Sequence, residues 1–461
     1  MTMRNKTAVR ELFGTDGVRG KANIHPMTPE VALQLGRAIT TVARRGTRRA
    51  PRIVVGKDTR LSGYMFETAL ASGICAAGGR VLLCGPLPTP AVANLTCSMR
   101  ADAGVVISAS HNPYADNGIK LFGADGFKLP DTAELEIEAL LRDPKLLNGP
   151  TGATVGRAER LEDAAGRYVV FAKASFPRHL RLDGIKIVVD AAHGAAYRVA
   201  PAVFAELGAD VICIGCKPNG RNINHRCGAL YPEHVAAEVR RHHAAIGIAL
   251  DGDADRVIIV DEAGDVVDGD AVMAICARRL LEAKTLAKKT VVATVMSNMG
   301  LEHALSSIGC RLKRTAVGDR YVVEEMRRSG YSFGGEQSGH LIFLDQATTG
   351  DGIVAALQVL AVMLSSGKPM SELAAVMQRV PQVLESVNLP ARRALEEMPR
   401  LQKLTTQYGK KLGKNGRVLV RWSGTEPKLR VMLEGPDERS LKAMAADMVN
   451  AARLDVSAAS A

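Results

Sequence analysis

The sequence predicts an α/β protein made of three αβ units and a smaller α+β tail. Short buried strands alternate with helices almost throughout, as parallel-sheet domains require. Three of the predicted strands end directly in polar loops rich in chemistry. Beyond Pro381 and Pro390 the texture changes to strand, helix, strand, strand, helix.

In the first unit, Thr28 is the expected cap of a helix with Pro29 in its first turn. Val31, Leu35, Ile39 and Val42 form one apolar face of it. A strand at Arg52–Val55, a helix from about Tyr64 to Ala77 and a strand at Val81–Cys84 come next. The strand Ala103–Ser108 runs into Ala109-Ser110-His111-Asn112-Pro113. Asp143–Gly156, with its glycines and prolines, reads as a connection, and Leu161–Ser175 as a helix bridging two domains. The second unit begins with Ile185–Asp190. It ends with the strand Ile246–Leu250, the loop Asp251–Arg256 and the strand Val257–Val260. The third starts near Asp268, with strands at Val291–Ser297 and about Ser332–Gly335. The latter feeds Glu336-Gln337-Ser338-Gly339-His340. The last helix turns Leu441, Met444, Met448 and Val449 to one side. The units share no repeat at the level of residue identity.

Composition narrows the function. Of 461 residues, 47% are hydrophobic and 23% charged, which excludes a disordered or fibrous chain. Apolar runs are short, so no transmembrane helix is expected. The basic N-terminus has no apolar stretch after it, so no secretory signal is expected and the cytoplasm is the default address. Sixty Lys and Arg against 48 Asp and Glu give +12, a balance suited to anionic partners. Aromatics at 4% are poor material for stacking on single-stranded nucleic acid. Among eight cysteines only Cys213 and Cys216 form a Cys-x-x-Cys. With no second such pair and Cys213 inside a strand pattern, scattered reduced thiols are the expectation rather than zinc or a redox pair.

Five segments could carry chemistry. Asp251, Asp253 and Asp255 alternate beyond a strand, so in extended chain they share a face and call for a hard cation such as Mg²⁺. An EF-hand is excluded because Arg256 stands where its glycine is needed. Ser110 ends a buried strand, the edge where α/β folds place reactive groups, with Asn117-Gly118-Ile119-Lys120 just beyond. No hydrolase elbow surrounds it. Arg421-Trp422-Ser423-Gly424-Thr425-Glu426-Pro427-Lys428-Leu429-Arg430 combines backbone amides, two hydroxyls and guanidinium forks, as a phosphate monoester needs; an ordinary hairpin is the plainer alternative. Phe13–Gly20 looks like another anion loop, though it is not a nucleotide-binding P-loop. Gly334–His340 offers a carboxylate, an amide, a hydroxyl and an imidazole to a sugar, or is simply a polar turn.

Together these segments resemble the α-D-phosphohexomutase superfamily. The four signatures are Ser-His-Asn-Pro at Ser110, Asp-Gly-Asp-x-Asp-Arg at Asp251, Gly-Glu-x-Ser-Gly at Gly335 and Arg-x-Ser-Gly-Thr-Glu-Pro at Arg421. They occur in that order and fill the chain from Leu12 to about Arg453. Within the superfamily, Phe13–Gly20, Ser108–Lys120, Gly318-Asp319-Arg320-Tyr321-Val322 and Gln337 resemble members acting on glucosamine phosphate.

The resemblance implies three similar αβ domains with mixed sheets plus a smaller C-terminal α+β domain around a central cleft. Their expected bounds are 1–160, 161–266, 267–382 and 383–461. It implies interconversion of glucosamine 6-phosphate and glucosamine 1-phosphate through phosphorylated Ser110 and a 1,6-bisphosphate, feeding UDP-N-acetylglucosamine and bacterial cell-wall synthesis. The same mechanism on mannose or glucose phosphates is the near alternative; a basic nucleic-acid-binding protein is the remote one. The implied catalytic set is Ser110, Lys120, Arg19, His111 and His340. Glu336, Ser338, Arg421, Ser423, Gly424, Thr425 and Arg430 would bind substrate. Asp251, Asp253 and Asp255, with Ser110, would hold Mg²⁺. Glucosamine or glucose 1,6-bisphosphate would phosphorylate the enzyme as activator. Partners would be small-molecule sugar phosphates; the resemblance allows a homodimer and gives no role to nucleic acid or membrane.

Overall fold

A computed structural model describes residues 11–14, 16–45, 49–423 and 428–457. The first sheet holds β1 (Val18–Lys21), β2 (Arg52–Lys57), β3 (Arg80–Pro86), β4 (Ala103–Ile107), β5 (Asp116–Gly123) and β6 (Arg157–Arg160). Their order is β1-β5-β4-β2-β3-β6. The second holds β7 (Lys186–Asp190), β8 (Asp210–Ile214), β9 (Ile246–Leu250), β10 (Val257–Val260) and β11 (Val266–Val267), ordered β11-β10-β9-β7-β8. The third holds β12 (Thr290–Thr294), β13 (Arg311–Thr315), β14 (Phe333–Gly335) and β15 (Leu341–Phe343), ordered β13-β12-β14-β15. The fourth is antiparallel throughout: β16 (Gln382–Asn388), β17 (Arg417–Trp422) and β18 (Lys428–Glu434), with β18 in the middle.

The first three sheets share one plan that residue identity does not reveal. In each, three strands run parallel and a fourth returns antiparallel beside the third: β3-β2-β4-β5, β8-β7-β9-β10 and β13-β12-β14-β15. The turn joining the third strand to the fourth carries Ser110 in the first sheet, the three aspartates in the second and Glu336–His340 in the third. All three turns leave the carboxyl end of a parallel strand, where open α/β sheets bind ligands.

The chain divides into two compact units. One comprises the residues up to Met296 with Cys310–Val376; the other comprises Ser297–Gly309 with the chain from Met377 onward. In the first, the helix Pro29–Ala43 is capped as expected, Thr28 Oγ1 accepting from Val31 N. Leu35 and Ile39 are buried on its inner face, with Val31 and Val42 only partly so. The expected bridging helix is Ala164–Ala174. Its Tyr168 is fully buried, and the hydroxyl donates to both carboxylate oxygens of Asp351 at 2.9 Å. Asp351 in turn caps the helix Gly352–Ser366 by accepting from Ile353 N and Val354 N. Tyr168→Phe would leave a buried carboxylate short of a donor. It is expected to cost about 1–3 kcal/mol in chemical denaturation.

In the second unit the predicted order holds: β16, the helix Pro399–Leu412, β17, β18 and the helix Glu438–Ser457. Leu441, Met444 and Met448 are buried there, with Val449 partly so. Two details differ from expectation. Val18–Arg19–Gly20, read as part of an anion loop, is an edge strand paired with β5; its alternation is too short to announce a strand. The sulfurs of Cys213 and Cys216 are joined in a disulfide, not left as separate thiols. Gly215, at φ +61°, turns the chain between them so that their Cα atoms stand 6.3 Å apart. Among the described residues no helix is long and apolar enough to cross a membrane.

Candidate active site

Ser110 sits one turn beyond β4 with its backbone at φ +52°, a region costly to L-residues. The surroundings hold it there. Arg60, fully buried, donates from Nη2 to the carbonyls of Ser110 at 2.9 Å and Asn112 at 2.8 Å. Arg60 Nε is itself held at 2.8 Å by Asp58, whose Oδ2 also accepts from Ser108 Oγ at 2.6 Å. Ser108 Oγ then accepts from Ser110 N at 2.9 Å. Asn224 Nδ2 reaches over from the second αβ domain and donates to the Ser110 carbonyl at 2.8 Å. At Gly252 a Cβ would stand 2.6 Å from that carbonyl, so only glycine lets the two loops approach this closely.

The result is a 2.6 Å hydrogen bond from Ser110 Oγ to Asp251 Oδ2, with both residues buried. Asp251, Asp253 and Asp255 each offer an oxygen within 4.8 Å of the others. Burial, then Asp255 and Asp253, push the Asp251 carboxyl well above its ordinary pKa. Asp253 Oδ2 accepts from Thr89 Oγ1 at 2.6 Å and from Lys120 Nζ at 2.8 Å. Lys120 Nζ also lies 3.2 Å from Asp255 Oδ2 and 3.3 Å from Asp16 Oδ2. Burial alone would lower the Lys120 pKa, but Asp16, Asp253 and Asp255 outweigh it and hold it well above the ordinary value. Lys120 is thereby held as a cation among carboxylates. Asp253 Oδ1 and Asp255 Oδ1 are buried and make no hydrogen bond. Crowded, hard, incompletely satisfied oxygens fit a small divalent cation such as Mg²⁺.

The remaining sequence candidates fall around this centre. Arg19 pairs with Asp16, and that pairing together with Asp253 and Asp255 outweighs burial to raise its pKa further. His111 Nδ1 is 3.4 Å from Ser110 Oγ. Burial, then Arg256 and Arg19, push its imidazole down to about 4, so it is neutral at pH 7. His340, buried, turns Nδ1 to Asp255 at 3.7 Å and Nε2 to Asp319 at 3.6 Å. Burial opposes its charge, but Asp255 and then Asp319 raise its pKa. Glu336 accepts from Gly318 N at 3.0 Å, while Ser338 is exposed. Gln337 donates to Asp268 at 3.2 Å and so fixes the loop rather than facing outward. Gly339, at φ +88°, lies so close to the Val257 carbonyl that a Cβ would come within 2.0 Å.

In the second unit Arg421 and Arg430 are directly opposed across β17 and β18. Like charges in register destabilise a strand pair unless an anion lies between them. Ser423 N donates to Lys428 O at 2.8 Å, closing the hairpin beside the two arginines. Gly424 and Thr425 lie outside the described residues, as does Thr15.

Sequence reading missed Asp58, Arg60 and Asn224 behind Ser110. It also missed Lys128, which bonds Asp16 and Asp319 at once. Asp58-Thr59-Arg60, a polar triple straight after a buried strand, is the one signal that could have been noticed.

Comparison with known proteins agrees along the whole chain. The phosphoglucomutase/phosphomannomutase alpha/beta/alpha domains I, II and III match residues 10–147, 167–264 and 268–380, and the C-terminal domain matches 384–451. A phosphoglucosamine mutase of Sorangium cellulosum is 66% identical over 99% of this chain and 96% of its own. That of Anaeromyxobacter sp. (strain Fw109-5) is 62% identical over 96% of each. Among solved structures, a phosphoglucomutase/phosphomannomutase family protein of Burkholderia thailandensis superposes with a TM-score of 0.82 at 24% identity, covering 96% of this chain and 97% of its own. At that identity it speaks for the fold alone.

Proposed function

The chain belongs to the phosphoglucomutase/phosphomannomutase family, the α-D-phosphohexomutases, and on that premise we propose how its residues divide the work. It is a mutase that interconverts glucosamine 6-phosphate and glucosamine 1-phosphate. The observation that carries the mechanism is the hydrogen bond from buried Ser110 Oγ to Asp251, which brings a nucleophile to a carboxylate triad.

Phosphorylated Ser110 gives its phosphoryl group to O1 of glucosamine 6-phosphate. The 1,6-bisphosphate so formed turns over. Ser110 Oγ then attacks the phosphoryl on O6, which leaves glucosamine 1-phosphate and restores the phosphoserine. Asp251, Asp253 and Asp255, with phosphorylated Ser110, would hold Mg²⁺, which would neutralise phosphoryl charge when bound. Lys120 and Arg19 are cations that balance the triad and the incoming phosphate. His111, neutral and beside Oγ, is suited to accept a proton, while His340, held toward its charged form by Asp255, is suited to give one. Glu336 and Ser338 read ring hydroxyls that keep their places when the sugar reverses. Glucosamine or glucose 1,6-bisphosphate primes Ser110. The enzyme works in the cytoplasm on small sugar phosphates.

In the second unit, Arg421, Ser423 and Arg430 bind the non-reacting phosphate. Arg430→Ala is expected to raise KM for the sugar phosphate at least about tenfold, since a charge-assisted contact to a dianion is lost. An unchanged KM would remove that role.

A coupled assay with glucosamine, glucose and mannose phosphates side by side tests the substrate. The highest kcat/KM is expected for glucosamine phosphate, with glucose phosphate slower but used. Equal values for both would make this a general hexose mutase.

A further inference from the structure

The disulfide between Cys213 and Cys216 lies at the start of a strap that ends on the Ser110 loop. Cys213 is exposed at the end of β8, and Cys216 is half-buried. Closing so short a loop removes less entropy from the unfolded chain than closing a long one, so stability is the weaker reason for the bond. The strap beyond the sulfurs is bonded step by step toward the active site. Gly215 O accepts from His193 N at 2.6 Å, and Lys217 N donates to His193 Nδ1 at 3.2 Å. Gly220 O accepts from Leu61 N at 2.9 Å, next to the Arg60 that grips the Ser110 carbonyl. The strap ends at Asn224, whose amide donates to that same carbonyl. Two of the donors that keep Ser110 in its left-handed conformation are thus tied to a segment that begins at the sulfur pair.

We infer that Cys213 and Cys216 form a reversible dithiol–disulfide modification site that tunes the positioning of the Ser110 loop. The co-reactant is a small-molecule disulfide. The exposed Cys213 thiolate attacks one of its sulfurs, forming a mixed disulfide and releasing one thiol. Cys216 then attacks Cys213 Sγ, closing the intramolecular bond and releasing the second thiol. Two electrons pass from the protein thiols to the small molecule, and two protons leave them. A small-molecule dithiol reverses both steps. With the bond closed, the strap is pinned at its origin and Asn224 stays on the Ser110 carbonyl. With it open, Asn224 bonds that carbonyl for less of the time. The inference rests on the role proposed for Ser110, but the modification itself does not.

The test equilibrates the full chain with excess oxidised glutathione or with dithiothreitol, then removes the reagent. Acid quenching and alkylation locate free thiols by peptide mass, hydrogen exchange tracks residues 217–224, and mutase turnover is measured on both forms. Cys213 and Cys216 are expected to resist alkylation only after oxidation. Exchange in the strap should be faster when reduced, and kcat lower by about two- to tenfold, the span of one lost positioning hydrogen bond. Cys213→Ser and Cys216→Ser should turn over at the reduced rate whichever reagent is used, oxidation of Cys216→Ser stopping at a mixed disulfide on Cys213 that dithiothreitol removes. Free thiols at Cys213 and Cys216 after oxidation, identical strap exchange in the two forms, or a rise in kcat on oxidation that survives in either serine variant would each overturn the inference. Absence of turnover in every form would instead count against the mutase mechanism, and alkylation and exchange would still decide the site.

Discussion

Ser110→Ala is expected to lose mutase turnover by at least about a thousandfold while keeping the fold. Removing a nucleophile leaves only what binding and charge placement supply, and losses of that order or larger result. The fold should survive because the Ser110 loop is held through its backbone. Arg60 and Asn224 address the carbonyl, and Ser108 the amide. Ser110→Gly is the sharper control, because glycine accepts the φ of +52° without the cost an L-residue bears. It should match or exceed the wild type in thermal stability and be equally inactive. Retained turnover in either variant would remove Ser110 as the phosphoryl carrier.

Asp251→Asn is expected to act in opposite directions on activity and on stability. Activity should fall at least about a hundredfold, as loss of a ligand exceeds the effect of disturbing its support. In chelator, by contrast, Tm should rise. Asp251 is buried among two other carboxylates, and burial is the largest cause holding its pKa up, so its charge opposes folding when no cation is bound. Added Mg²⁺ should raise the Tm of the wild type and leave that of the variant nearly unchanged, since only a ligand bound to the native state stabilises it. A lower Tm for the variant in chelator would mean that the triad is not a cation site under strain.

What the sequence shows here depends on how far apart the partners lie. Asp251, Asp253 and Asp255 were legible because alternation in an extended chain is a local pattern. Ser110 was legible because a buried strand ended next to it, and the order of the last domain because its strands and helices each carry their own period. Arg60 was not, because its meaning comes from carbonyls about fifty residues further on, and nothing in its neighbourhood distinguishes it from a surface arginine. Asn224 and Lys128 are the same case over longer separations. The common plan of the three αβ sheets was hidden for a different reason. Strand order is a property of pairing, and apart from the glycine that stands second in each (Gly104, Gly247 and Gly334), β4, β9 and β14 are filled by different residues. The edge strand at Val18 and the closure of Cys213 on Cys216 likewise depend on a partner strand and on the turn at Gly215.

The central claim is that Ser110 carries the phosphoryl group between the two ends of one sugar. The most direct measurement is a single-turnover transfer. The protein is charged with glucosamine 1,6-bisphosphate carrying ³²P and freed of ligand. The label is located by peptide mapping, and the charged protein is then mixed with unlabelled glucosamine 6-phosphate. The account predicts label on the peptide containing Ser110, discharged on mixing into the 1,6-bisphosphate at a rate no slower than kcat. Label on another residue, or label on Ser110 that the sugar phosphate does not remove, would contradict it.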